Sequence, residues 1–156
     1  MSNLRDLYQE VILDHAKKPK NFGPLEGDDV RSVRGFNPLC GDHYTVHVRV
    51  ADGRVEAASF EGEGCAISKA SASLMTDTLV GRTLEEAETL HHAFNELVTA
   101  EPTSAGERFE DAIADLGKLA VFAGVCEYPS RVKCASLAWH ACRSALTEED
   151  DTVTTE

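Results

Sequence analysis

The sequence predicts an α+β fold in which a small three-stranded antiparallel sheet is packed with about five to six helices. The first observation is a strand signal: Tyr44, Val46, Val48 and Val50 alternate with Thr45, His47 and Arg49, and the two-residue turn Asp52-Gly53 then returns the chain over residues 54 to about 60. The second is that apolar residues on either side of this hairpin recur at the 3.6-residue period of helices with one buried face. The third is length. A chain of 156 residues fits one domain that buries roughly two-thirds of its unfolded surface without disulfides.

In order, Leu4, Leu7, Tyr8, Val11, Ile12 and Ala16 lie at helical spacing opposite Arg5, Asp6, Gln9, Glu10 and Asp14, so residues 3–17 form an amphipathic helix capped by Ser2 or Asn3 and ended by Pro19. Residues 18–27 are a loop carrying Pro19, Gly23, Pro24 and Gly27, and residues 30–36 are a weakly patterned strand. After the hairpin, Gly62-Glu63-Gly64-Cys65 opens a helix over residues 66–79, closed by Gly81 at the C′ position. Its small residues, among them Ala70, Ser71, Ala72 and Ser73, allow close approach to the sheet and bring Cys65 toward the Cys40 loop. Thr83-Leu84-Glu85-Glu86 is a capping box for a helix reaching about residue 98, with Leu84, Ala87, Leu90 or His91, and Phe94 lining its apolar face. Residues 101–106 form a loop, and 108–123 a further helix with Phe109, Ile113, Leu116 and Leu119 inward. Pro129-Ser130 starts the last helix with Ser130 as N-cap, and Leu137, Trp139 and Leu146 lie on its apolar side. Residues 1–146 read as a single domain. Residues 147–156, rich in Asp and Glu with Val153 the only large apolar residue, read as an acidic, disordered tail.

A net charge of -12 argues against nucleic acid as a partner, because phosphate binding rests on Lys and Arg. The basic residues gather at Lys17-Lys18-Lys20 and at Arg131-Lys133, the places suited to an acidic partner surface. No apolar run approaches the roughly 20 residues of a membrane span. Met1-Ser2-Asn3 runs into Arg5 and Asp6 without the apolar stretch of a secretory signal, which points to a cytoplasmic protein. Five cysteines, an odd number in a reducing compartment, leave thiol chemistry or metal binding in place of structural disulfides.

Asn37-Pro38-Leu39-Cys40-Gly41-Asp42-His43 sets a thiol and a carboxylate two residues apart around a glycine, and a borderline cation such as Zn2+ accepts both donors. The triplet alone also fits a buried small residue beside a turn-forming Asp. Cys65 and Cys134 fall in the first turn of predicted helices, where the unpaired amides favour the thiolate that ligates metal and exchanges sulfur. Cys126, in a short connection, and Cys142, mid-helix among alanines, lack that setting. His43 neighbours Asp42 and is a substitute ligand by position, whereas His47, His91, His92 and His140 read as surface or half-buried side chains, and His15 has no role that the residues alone assign.

Asp14-His15 with Pro19-Lys20-Asn21-Phe22-Gly23, the Asn37 to Asp42 segment, Gly62-Glu63-Gly64-Cys65-Ala66-Ile67-Ser68 with Ala70-Ser71-Ala72-Ser73, and Arg131-Val132-Lys133-Cys134-Ala135 stand in one order along the chain. In these motifs the sequence resembles the IscU/NifU-type iron-sulfur scaffold family, and within it the SufU branch, over nearly its full length short of the acidic tail. The resemblance implies that Cys40, Asp42, Cys65 and Cys134 are metal ligands, that Cys40 is the sulfur acceptor, and that Arg131 stands beside the metal. Lys133 replaces the histidine that housekeeping scaffolds of this family carry before their third cysteine, and Tyr128-Pro129-Ser130-Arg131 replaces their chaperone-binding motif. Those departures imply the SufU role: zinc-dependent acceptance of sulfur from a SufS-like cysteine desulfurase, with a SufBCD-type scaffold downstream. Two other readings stay open, a scaffold that assembles a [2Fe-2S] iron-sulfur cluster on the same ligands, and a module in which zinc only holds the fold.

Overall fold

The computed structural model describes residues 2–27, 29–37, 41–99, 119, 121–122, 129–147 and 152–154. Helix α1 (Ser2–Lys17) leads through the Pro19–Gly27 loop to β1 (Val30–Asn37), β2 (Asp42–Ala51) and β3 (Arg54–Glu63). Helices α2 (Ala66–Leu79) and α3 (Leu84–Thr99) follow, then α4 (Pro129–Thr147) and the short β4 (Thr152–Thr154). The sheet order is β3-β2-β1-β4. β1 and β3 flank β2 antiparallel, and their register pairs Asn37 with Asp42 and His43 with Glu63, so the turn between β1 and β2 and the exit of β3 meet at one end of the sheet. At the other end Asp52 and Gly53 both take positive φ, 54° and 72°, the conformation that a two-residue hairpin requires of its turn.

Alternation decides which face is buried. Val33, Tyr44, Val46, Val48, Val55, Ala58 and Phe60 point inward, while Ser32, Arg34, Phe36 and His43 face out. Helices α2 and α4 cover the inner face, and α3 packs on α4, with Phe94 stacked 4.5 Å from the Trp139 ring. Small residues make the close packing possible. Ala70, Ser71, Ala72 and Ser73 are fully buried, and the Ser71 hydroxyl accepts from Trp139 Nε1 at 3.2 Å and donates to the Ala135 carbonyl at 2.5 Å. The capping box forms as the sequence predicts: Glu86 N–H donates to Thr83 Oγ1 at 3.1 Å, and Thr83 N–H to Glu86 Oε1 at 3.2 Å. Gly81 follows the Val80 C-cap with φ 91°.

The structure departs from the sequence expectation in three places. The described residues hold four helices, not five to six. The helix expected over 108–123 lies outside them apart from residues 119, 121 and 122, of which Leu119 and Phe122 are buried in the core. The last helix begins at Pro129, whose missing N–H costs nothing in a first turn, so Ser130 lies inside the helix and is not its N-cap. Within the segment expected to be a disordered tail, β4 pairs parallel with β1, Thr152 opposite Arg34 and Thr154 opposite Phe36. Backbone pairing needs no apolar side chain, which is why composition gave no sign of it. Among the described residues no helix is long and apolar enough to cross a membrane.

Candidate metal centre

Asp42, Cys65 and Cys134 each offer a ligand atom, and the three atoms lie within 4.8 Å of one another. They come from different elements. Asp42 is the first residue of β2, and alternation turns it inward on the same face as Tyr44, while His43 between them faces out and takes no part. Cys65 is the N-cap of α2, its Sγ accepting the Ser68 N–H at 3.5 Å. Cys134 lies in the second turn of α4, not the first as expected, because that helix starts at Pro129. It is fully buried, and burial, then the Asp42 carboxylate and the Cys65 sulfur, push its thiol far above the ordinary range. Arg131, exposed and one turn earlier on the same helix, stands beside both sulfurs, and the Cys134 sulfur first among its neighbours holds the guanidinium more firmly protonated. Cys40 and Cys126 lie outside the described residues. Cys142 is buried among α4's core contacts, its thiol pushed up to about 12 by burial, well away from a thiolate role.

The donor set fits a divalent cation. Asp42 is only 3% exposed; Oδ1 accepts the Cys65 N–H at 3.1 Å, whereas Oδ2 is buried and makes no hydrogen bond. A buried carboxylate oxygen without a partner beside two sulfurs is costly unless a cation joins them, and a bound cation also reverses the pressure that keeps a buried thiol protonated. Two thiols and one carboxylate are donors that Zn2+ accepts.

Beneath these groups lies a polar support that the sequence reading did not single out. Ser68 Oγ donates to the Cys65 carbonyl at 2.9 Å, so the Tyr44 hydroxyl, 2.8 Å away, is the donor to Ser68. Gly64 closes it: an added Cβ would stand 2.5 Å from Ser68 Oγ, 2.6 Å from the Tyr44 hydroxyl and 2.7 Å from Asp42 Oδ1. Period-two spacing puts Tyr44 on the face of Asp42 and the three-residue step from Cys65 to Ser68 is a capping distance, but neither pattern states that the Tyr44 hydroxyl meets Ser68. His15 finds its place away from the metal donors, bonded through Nδ1 to Ser73 Oγ at 2.7 Å.

The family model described as NifU-like N terminal domain matches residues 7–135. The chain is 38% identical over 146 residues, 94% of its length and 86% of the relative's, to the iron-sulfur cluster assembly scaffold protein IscU of Streptococcus pyogenes serotype M1. It is also 38% identical over 149 residues, 96% of its length and 95% of the relative's, to the zinc-dependent sulfurtransferase SufU of Bacillus subtilis strain 168. The crystal structure of a proposed iron-sulfur cluster assembly scaffold protein for the SUF system from Fervidobacterium islandicum AW-1 superposes with a TM-score of 0.76 at 31% identity, over 88% of this chain and 94% of that one.

Proposed function

The chain belongs to the NifU-like N-terminal domain family, and on that premise we propose that it is a zinc-dependent acceptor of persulfide sulfur from a cysteine desulfurase in iron-sulfur cluster assembly. The observation that carries this is the convergence of Asp42, Cys65 and Cys134 around a buried carboxylate oxygen that has no hydrogen-bond partner. In this reading those three residues and Cys40 hold Zn2+, which supplies a redox-inert positive charge that keeps the sulfurs as thiolates. In sequence Cys40 falls between β1 and β2, next to Gly41 at φ 73°, and it is the thiol of the set that no helix carries. Its thiolate attacks the outer sulfur of the partner's cysteine persulfide; the S–S bond breaks, the partner cysteine leaves as thiolate, and the persulfide now stands on Cys40. Arg131, beside the Cys65 and Cys134 sulfurs, is placed to balance the negative charge that this transfer brings to the site. A SufBCD-type scaffold is the recipient in this scheme.

The second reading, a scaffold that assembles an iron-sulfur cluster on the same ligands, is favoured by the equal identity to the relative named IscU. One experiment separates them. A SufS-like desulfurase is assayed with cysteine, with and without this protein and zinc, and the adduct is mapped by peptide mass. Zinc-dependent stimulation with the added sulfur on Cys40, lost in Cys40→Ser, is the expected outcome. A brown, iron-loaded protein that leaves desulfurase turnover unchanged would show the second reading to be the right one.

A further inference from the structure

A shallow cleft of about 470 Å3 opens where α1 ends, lined by Asp14, His15, Lys17, Lys18 and Lys20. The three lysines are exposed, in a chain whose net charge is -12. Lys17 at the end of α1 and Lys18, whose N–H closes the helix on the Asp14 carbonyl at 2.9 Å, complement the helix dipole, but Lys20 lies past the helix and has no such local reason. The loop that carries them is fixed on both sides. Lys20 N–H donates to Ser73 Oγ at 2.7 Å and Asn21 Nδ2 to Thr76 Oγ1 at 3.2 Å, both on α2; Gly23 N–H donates to the Phe60 carbonyl at 2.9 Å, and Phe60 N–H to the Asn21 carbonyl at 3.1 Å, both along β3. Asn21 takes the left-handed φ of 57° that this path demands.

The rigid mount presents Phe22. Its ring stands edge-on to Phe60 at 5.2 Å, with Lys69 Nζ 5.7 Å from its centroid, and 48% of the residue remains exposed. Lys69 is one turn along α2 from Cys65, whose carbonyl accepts its N–H at 3.1 Å, so it stands between the metal centre at the start of that helix and the Lys20 loop held further along it at Ser73 and Thr76. An aromatic side chain held rigidly with a lysine over its ring, in the loop that also carries Lys18 and Lys20, has the composition of an interface anchor with a charged rim.

We propose that Phe22 and Lys17, Lys18, Lys20 and Lys69 form the dock for an acidic face of the protein that delivers sulfur, orienting its persulfide toward the metal centre at the other end of α2. This rests on the sulfur-acceptor reading above. The lysines steer encounter against the chain's overall negative field, and Phe22 holds the complex once formed. An acidic partner face is the occupant that this charge distribution selects.

The test uses the full zinc-loaded chain and the purified cysteine desulfurase of the same cell, with affinity measured calorimetrically at about 50 mM and about 300 mM salt. Wild-type binding is expected to weaken as salt rises. The Lys17→Glu, Lys18→Glu, Lys20→Glu triple variant should lose about tenfold or more in affinity at low salt and most of the salt dependence, with zinc content unchanged and the thermal midpoint lowered only by the lost dipole interaction at the end of α1. Phe22→Ala should weaken binding at both salt concentrations. If the triple variant binds like wild type at low salt while wild type still takes sulfur on Cys40, the dock is wrong and the acceptor reading stands. If wild type neither binds the desulfurase nor takes sulfur, the acceptor reading fails and the dock with it. A self-association of the isolated chain that the triple variant abolishes, with desulfurase affinity untouched, would assign the surface to a second copy and overturn the proposal.

Discussion

Gly64→Ala introduces one methyl group into the support beneath the metal donors. Its carbon would lie 2.5 to 2.7 Å from Ser68 Oγ, the Tyr44 hydroxyl and Asp42 Oδ1, well inside the roughly 3.5 Å at which carbon meets its neighbours comfortably. Gly64 is not among the glycines at positive φ, so the backbone accepts alanine and the whole cost falls on those polar atoms. They have little room to retreat: Ser68 is bonded to Tyr44 and to the Cys65 carbonyl, and Asp42 Oδ1 holds the Cys65 N–H. Overpacking of this kind costs about 1–3 kcal/mol, and a broken hydrogen bond about 1 kcal/mol more. For a chain of this size that is a fall of roughly 5–15 °C in thermal midpoint. The assay is thermal unfolding of zinc-loaded and chelator-stripped protein, with a competing chelator to read zinc retention. The loss should be larger with zinc bound, because displacement of Asp42 also weakens the donor set. Gly53→Ala is the control: its Cβ would meet nothing within 4 Å, so only the φ of 72° is strained, at about 1 kcal/mol, with zinc retention untouched. A Gly64→Ala protein that matches Gly53→Ala in midpoint and in zinc retention would refute the account of the support.

Asp42→Ala should weaken zinc retention against a chelator without unfolding the chain, since the sulfur donors remain; retention at the wild-type level would remove Asp42 from the site. Tyr44→Phe deletes the hydroxyl that donates to Ser68 and should lower the midpoint by roughly 2–4 °C, the equivalent of about 1 kcal/mol; an unchanged midpoint would show that this bond adds nothing. His91 is held at about 4, below its ordinary 6.5, first by burial and then by His140 and Arg143. The unfolded chain therefore takes the proton first as pH falls, so stability is intact above about 6.5 and declines toward about 4. His140, lowered as well by burial, adds to the same decline. Chemical denaturation of chelator-stripped protein across that range should show a flatter decline for His91→Phe than for wild type, and an identical slope in both proteins would dispose of the assignment.

Local signals carried much of the fold. The Tyr44 to Val50 alternation, the Asp52-Gly53 turn and the Thr83 to Glu86 box each encode their geometry within a few residues, and each forms as the sequence predicts. Asp42, Cys65 and Cys134 were legible one by one as donors, but their convergence depends on the packing of α2 on β3 and of α4 on both α2 and β2, which no local pattern states. Tyr44 hid behind its own regularity, because a strand tyrosine on the inner face looks the same whether its hydroxyl meets a serine or not. β4 was hidden for a different reason: its pairing is made by backbone groups that every sequence possesses.

Helix α2 carries Cys65 at its N-cap and, about 12 and 16 Å further along, the Ser73 and Thr76 hydroxyls that grip the Lys20–Asn21 backbone and side chain. A packed helix moves as one body, so whatever restrains Cys65 also restrains the far loop. Occupation of the donor set should therefore lower the rate at which the amides of Lys20 and Gly23 exchange their hydrogens with solvent, and the loss of the Ser73 or the Thr76 grip should raise opening at the cysteine end. On that account the two ends of α2 open and close together, and residues remote from the ligands should share in setting how long a bound ion stays.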